Sequence, residues 1–224
     1  MQLNLHLKLL SDGTFGNGDG VASLVDTEIE HDNLGLPFLR GRTLKGLLSE
    51  ECANILFALE KQNSSKLSVF KASAQFLFGS PGSTINDDSA MKVGMAMLPL
   101  ELRKAVEIEI NKERLTSAEV LNSLTSIRRQ TAINEKTGVA EDHSLRSLRV
   151  LLRQTQLTSL LTFSRTPENE TLALLSACVL SLHRAGTGRN RGRGRLKAWL
   201  EDDEFTTTKF SDFEKLVLGE EHKK

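Results

Sequence analysis

Between Glu170 and Leu200 the chain reads ETLALLSACVLSLHRAG and then TGRNRGRGRLKAWL. Leu172, Leu175, Val179 and Leu182 recur at helical spacing, which predicts a helix stopped by Gly186. Leu196, Ala198 and Leu200 alternate with Lys197 and Trp199, the period of a strand with one buried face. A helix and a strand are therefore joined by a loop carrying Gly186, Gly188, Gly192 and Gly194 interleaved with Arg189, Arg191, Arg193 and Arg195. A phosphate-binding P-loop would need a lysine and a Ser or Thr directly after its last glycine, and this loop has neither. A dinucleotide fingerprint runs from strand to helix, whereas here the order is inverted and the glycine spacing is off by one. What the pattern offers is a backbone that can approach a polyanion closely, with forked cationic donors at alternate positions. Contacts to phosphate hold a strand without reading its sequence.

The cationic loop sits in a chain with no net charge, 29 Lys plus Arg against 29 Asp plus Glu. Steering depends on where charges lie. Here they are segregated: Glu201 to Glu204 follow the basic loop, and Arg128, Arg129, Arg146, Arg149 and Arg153 form a second basic group. With 39% hydrophobic and 26% charged residues over 224 positions, the chain can bury a substantial core and is not disordered. No apolar run reaches the roughly 18 to 20 residues needed to span a bilayer, and MQLNLHLKLLSDG alternates where a signal-peptide segment would run unbroken. A cytoplasmic protein with no membrane partner is expected. Cys52 and Cys178 each fall inside helical patterns and lack a Cys or His at ligand spacing, so both are expected as buried reduced thiols.

The N-terminus alternates Leu3, Leu5, Leu7 and Leu9 with Gln2, Asn4, His6 and Lys8, a strand with His6 on its polar side. The segment SDGTFGNGDG is a shaped loop. Leu44, Leu47, Leu48, Ile55 and Leu59 predict a helix stopping near Lys61 to Ser65, and VFKASAQFLFGSPG a short helix ended by Gly79 and Pro81. MKVGMAMLPL is expected as a strand interrupted at Gly94, with methionines 91, 95 and 97 in the core. Thr116 and Glu119 form a capping box for LTSAEVLNSL. From Arg128 to Ser144 apolar periodicity lapses, which predicts a protruding hairpin whose tip runs from Asn134 to Gly138, Gly138 taking a positive φ. SLRVLLRQ and LTSLLTF are strands, and FSDFEKLVLGEEHKK is a short terminal helix with a frayed end. Two strand-helix-strand halves on one sheet make a ferredoxin-like α+β plan, with helices on one face and a large inserted hairpin. A single domain over 1–224 is expected, with a core of about 1–80 and 145–204, an insertion of about 81–144 and a tail from 205.

Four segments, in order, resemble the RAMP superfamily, the RNA-binding subunits of CRISPR effector complexes. GTGRNRGRG looks like its glycine-rich signature. VDTEIEHDNLGLPFLRGRTLKGLLSEE is similar to its N-terminal block, in which an extended segment leads to a Gly-X-Thr/Ser-Leu-Lys-Gly helix start. FLFGS resembles its Leu-Phe-Gly element, and TAINEKTGVAEDHSL the thumb hairpin of type III backbone subunits. One departure is Arg40, which stands before Gly41 where the family's turn has proline.

The resemblance implies an RRM-like core and a subunit that wraps guide CRISPR RNA, repeats along it beside sister RAMP subunits and a large polymerase-like subunit, and presses its thumb into the duplex with target RNA. Base pairing then carries sequence recognition. It also implies guide contacts by Arg42, Thr43 and Lys45 at a helix N-terminus and by the glycine-arginine loop from Gly186 to Arg195. Ile133, Asn134, Thr137, Gly138 and Val139 would form the thumb tip. Asp26 matches the loop aspartate required for cutting target RNA, where a carboxylate helps the attack of a ribose 2'-hydroxyl directly or by holding Mg2+ or another divalent ion. Asp19, Glu28 and Asp32 lie near enough in sequence to share that duty. Two alternatives stay open: a non-cutting structural or 5'-end-capping subunit, and a guide-processing endoribonuclease. The latter usually recruits a histidine, and His6, His31, His143 and His183 show no clustering.

Overall fold

Leu3, Leu5, Leu7 and Leu9 point into the core from strand β1 (Gln2–Leu9), each at most 5% exposed. Burying one such side chain contributes about 1.5–3 kcal/mol, so the alternation fixes which face of this strand turns inward. The computed structural model describes residues 1–16, 18, 20, 25–80, 89–133, 137–139 and 144–219. After β1 come helices α1 (Gly41–Lys61) and α2 (Leu67–Phe78), strand β2 (Met91–Val93), and helices α3 (Leu100–Asn111) and α4 (Ser117–Leu124). Strands β3 (Thr125–Gln130), β4 (Arg146–Leu151) and β5 (Gln156–Phe163) follow, then α5 (Asn169–Ser181), β6 (Leu196–Leu200) and α6 (Asp203–Leu218).

The core sheet has the order β2-β5-β1-β6 and is antiparallel throughout, with Leu5 opposite Ser159 and Leu7 opposite Ala198. With β1 and β2 as one strand-helix-strand half and β5 and β6 as the other, this is the expected ferredoxin-like order. Helices α1, α2, α5 and α6 pack together over the sheet's leucine face. α5 is buried on all sides from Thr171 to Val179, more than a one-faced helix, because α6 covers its outer side. It ends at Ser181 with Leu182 as its cap, short of the expected stop at Gly186.

Other expectations meet the structure unevenly. Thr116 caps α4 in a capping box with Glu119, the Thr116 amide donating to Glu119 Oε2 at 2.8 Å. α2 ends at Gly79 as read. Met91 is buried, but Met95 is 50% exposed, because the chain leaves β5 after Gly94, whose amide still donates to the Leu160 carbonyl, and pairs with it again at Met97. One helix had no clear signal in sequence and another only a late one. α3 buries none of its residues completely, and α6 starts at Asp203, earlier than expected, where Asp202 accepts the Phe205 amide at 2.6 Å. β4 does not join the core sheet; it pairs with β3 in a two-stranded ladder, Ile127 opposite Arg149. Cys52 and Cys178 are both buried free thiols, and they meet across the α1–α5 contact, where burial pushes the Cys178 thiol up. No described helix is long and apolar enough to cross a membrane.

Candidate nucleic-acid interface

The glycine-arginine loop is built by two kinds of glycine. Gly186 (φ +87°) and Gly194 (φ +63°) lie against other backbone: a Cβ on the first would overlap the Thr14 carbonyl, and on the second the Ala185 carbonyl. Gly188 and Gly192 instead bracket a single 3-10 turn, Arg189–Arg191, both in the left-handed region that disfavours a side chain. Nothing lies within 4 Å of the position a Cβ would take on Gly192. Thus Gly186 and Gly194 weld the loop to the segment at Thr14 and to Ala185 beyond the end of α5, while Gly188 and Gly192 shape its exposed tip. Asp12 and Ser11 complete the weld: the Gly194 amide donates to the Asp12 carbonyl at 2.9 Å and the Arg195 amide to Ser11 Oγ at 3.0 Å.

On either side of this loop lies a cleft, one of about 380 Å³ and one of about 460 Å³. The first lies between the loop and the start of α1, lined by Thr43, Gly46, Glu50 and Arg40 among others. The second lies between the loop and the base of the β3–β4 hairpin, lined by Arg191, Arg193, Gln130, Leu148 and Thr27. Both are lined by Thr14, Gly186, Thr187 and Arg189. They make one groove from the α1 N-terminus, over the loop, to the hairpin.

The α1 end suits an anion in part. Its first turn carries no acidic residue and no side chain caps it, leaving amide donors turned outward. Gly41 is required there for packing, since a Cβ would overlap the Val93 carbonyl. Arg42 and Thr43 are exposed, and Thr43 lines the groove. Lys45 is turned elsewhere, donating to Ser89 Oγ at 2.6 Å. Arg40 pairs with Glu30 at 2.5 Å.

Among the loop arginines, Arg189 forks onto Glu50 at 3.1 and 3.3 Å. Both partners are substantially exposed, so this pair adds little stability. Arg191, Arg193 and Arg195 make no ion pair among the described residues, and Arg191 and Arg195 are exposed. The second basic group divides. Arg149 is buried against Glu28, and Arg128 pairs with Asp12 at 2.7 Å. Arg129 and Arg146 stay exposed on the hairpin arms. At the hairpin's far end Ile133 and Val139 are 65% and 64% exposed, Gly138 has the expected positive φ of 67°, and Thr137 is exposed. Asn134 lies outside the described residues.

Asp26 stands at the base of the hairpin, beside the groove-lining Thr27. Its amide donates to the Ser147 carbonyl at 2.9 Å, and its Oδ2 accepts the Ser147 amide at 2.6 Å and the Ser147 hydroxyl at 3.1 Å. Those bonds, the amide first, hold its carboxyl below the usual value, with Arg146 adding to the effect. The neighbours expected to share its duty have other work. Glu28 is sealed in the pair with Arg149, and Asp32 accepts the Leu34 and Leu36 amides and pairs with Arg103. Asp19 lies outside the described residues. No group of three His, Cys, Asp or Glu side chains able to hold a metal ion occurs among the described residues. The residues that sequence reasoning missed are Asp12, Ser147 and Glu50. Their roles come from contacts over more than 110 positions of chain, and only the Ser-Asp-Gly turn around Asp12 carried any local signal.

The family model described as the RAMP superfamily matches residues 6–197. No curated protein matches the sequence. Among solved structures, the fold resembles a chain in the cryo-EM structure of the Type III-B Cmr-beta bound to cognate target RNA, with TM-score 0.63 and 14% identity over 91% of this chain and 98% of that one. A chain of the Type III-B Cmr-beta apo state gives TM-score 0.60 at the same identity and coverage. The ferredoxin-like strand order, the glycine loop between α5 and β6 and a match over most of its length agree: the chain belongs to the RAMP superfamily.

Proposed function

We propose that this protein is a guide-RNA-binding backbone subunit of a type III CRISPR effector complex, which cuts bound target RNA with the help of Asp26. The observation that carries this reading is the continuity of the groove: it joins the uncapped start of α1 to the arginine loop and ends beside Asp26 at the base of a hairpin that exposes Ile133 and Val139. A polyanion laid along it meets amide donors at one end and the unpaired Arg191 and Arg193 in the middle. On this reading the β3–β4 hairpin presses the exposed Ile133 and Val139 against stacked bases. The chain of similar fold comes from the Type III-B Cmr-beta bound to cognate target RNA, which is in keeping with such a role.

In the cutting step the ribose 2'-oxygen forms a bond to the adjacent phosphorus while the bond from phosphorus to the 5'-oxygen breaks. The 2'-proton leaves to solvent and the departing 5'-oxygen takes one up. A carboxylate held below its ordinary pKa is a weak proton acceptor, so Asp26 serves by accepting a hydrogen bond from the 2'-hydroxyl and aligning it with the scissile bond. Ser147 fixes the carboxylate for that task. The same features support a second reading, a non-cutting structural or 5'-end-capping subunit, since one carboxylate already engaged by Ser147 can equally well be a structural clasp. Purified complex carrying Asp26→Ala separates them. Guide and target stay bound and cleavage stops on the first reading; undiminished cleavage would sink it.

A further inference from the structure

The four helices cover one face of the core sheet and leave the other open. None of the outward residues of β1, β2, β5 and β6 is buried, and none is an Asp or Glu. In the middle of this face the His6 and Trp199 rings stack with centroids 5.4 Å apart and planes 23° from parallel. Thr158 Oγ1 holds His6 Nδ1 at 3.0 Å, and Lys197 Nζ stands 5.4 Å from the centre of the Trp199 ring. Lys8 and Lys92 extend the positive charge to either side. The nearest carboxylates in sequence, Glu201 and Asp203, lie past the end of β6 and are engaged by the Asn4 amide and by Lys197. No residue lining the groove lies on this face.

We propose that this open sheet face is a second nucleic-acid site, taking a single-stranded RNA segment with bases laid on the His6–Trp199 pair and phosphates beside Lys8 and Lys197. The composition selects this occupant. Lysines are depleted at the centre of protein interfaces, whereas a flat strand surface with aromatic rings among cations stacks unpaired bases without reading their sequence. A duplex keeps its bases stacked inside and offers the rings nothing. The site is independent of the groove, and it gives the protein a hold on single-stranded RNA outside the guide path.

The chain has one tryptophan and no tyrosine, so its intrinsic emission reports this face alone. Titration of the full-length protein with a short oligouridylate at low salt should quench Trp199 to saturation. The quench should survive in Arg191→Ala with Arg193→Ala, which weakens the groove. In Lys8→Ala with Lys197→Ala it should need about tenfold more RNA, while binding of labelled RNA at the groove continues. Trp199 emission that is unmoved when labelled RNA is bound would overturn the proposal. So would a quench that disappears with the groove arginines, or an emission change that follows protein concentration without RNA, which would mean that a neighbouring subunit covers the face.

Discussion

Arg149 and Glu28 meet inside the protein, Nε lying 2.8 Å from Oε1 and 3.1 Å from Oε2, with side chains 5% and 6% exposed. Arg149 also donates to Asn122 Oδ1 at 2.9 Å and Thr125 Oγ1 at 3.0 Å. One guanidinium on β4 thus joins the hairpin to α4 and to the segment bearing Asp26. Removing one member of such a pair leaves a buried charge unpaired, a loss of about 3–5 kcal/mol. Glu28→Ala should therefore lower the urea midpoint far more than Asp26→Ala does, and replacing both Glu28 and Arg149 with methionine should recover much of the loss. A Glu28→Ala protein as stable as wild type would contradict this role.

The Asp26–Ser147 contact makes a separate prediction about protonation. Because the folded pKa of Asp26 is depressed, any stability it adds is present above the unfolded carboxylate value and is lost as pH falls through the lower folded value. At neutral pH it is ionised. Ser147→Ala removes the hydroxyl donor but keeps the amide, so the Asp26 pKa should rise part of the way towards its ordinary value. Carboxyl carbon NMR titration of the two proteins reads this directly, and an unchanged Asp26 curve would show that the hydroxyl plays no part.

The glycines of the loop should separate by role. Gly186→Ala and Gly194→Ala drive a Cβ into backbone carbonyls and should be strongly destabilising. Gly192→Ala meets open space and should cost only the roughly 1–2 kcal/mol of a left-handed non-glycine residue. Thermal unfolding of the three variants measures the difference. Equal losses would mean that the loop is not welded at Gly186 and Gly194.

RNA binding should weaken steeply with salt. Arg191→Ala with Arg193→Ala should flatten the slope of log affinity against log salt by roughly one unit per lost contact, without lowering the unfolding temperature, because neither arginine holds an ion pair among the described residues. A slope unchanged in that variant would remove these two residues from the interface.

Much of the architecture was legible from period alone. The alternating leucines of β1 and the Leu196, Ala198 and Leu200 face of β6 each bury one side, so their pattern is also their position. α3 was not legible, because Leu100, Leu102 and Ile108 stay exposed and its apolar residues mark no single face. The early start of α6 was hidden because Asp202 belongs to an acidic run, and a cap looks there like one more surface charge. At the site, Asp26 and the loop arginines could be named from local motifs. Which arginines are already engaged could not, since Glu50, Asp12 and Glu28 reach them from more than 110 residues away.

The most direct measurement is a cryo-EM map of the protein assembled on a guide RNA. Several copies are expected along one guide, its phosphates following the groove past Thr43, Thr187 and Arg191, with the β3–β4 hairpin of each copy reaching the guide-target duplex beside Asp26. A single copy at the 5' end of the guide, or RNA that bypasses this groove, would contradict it.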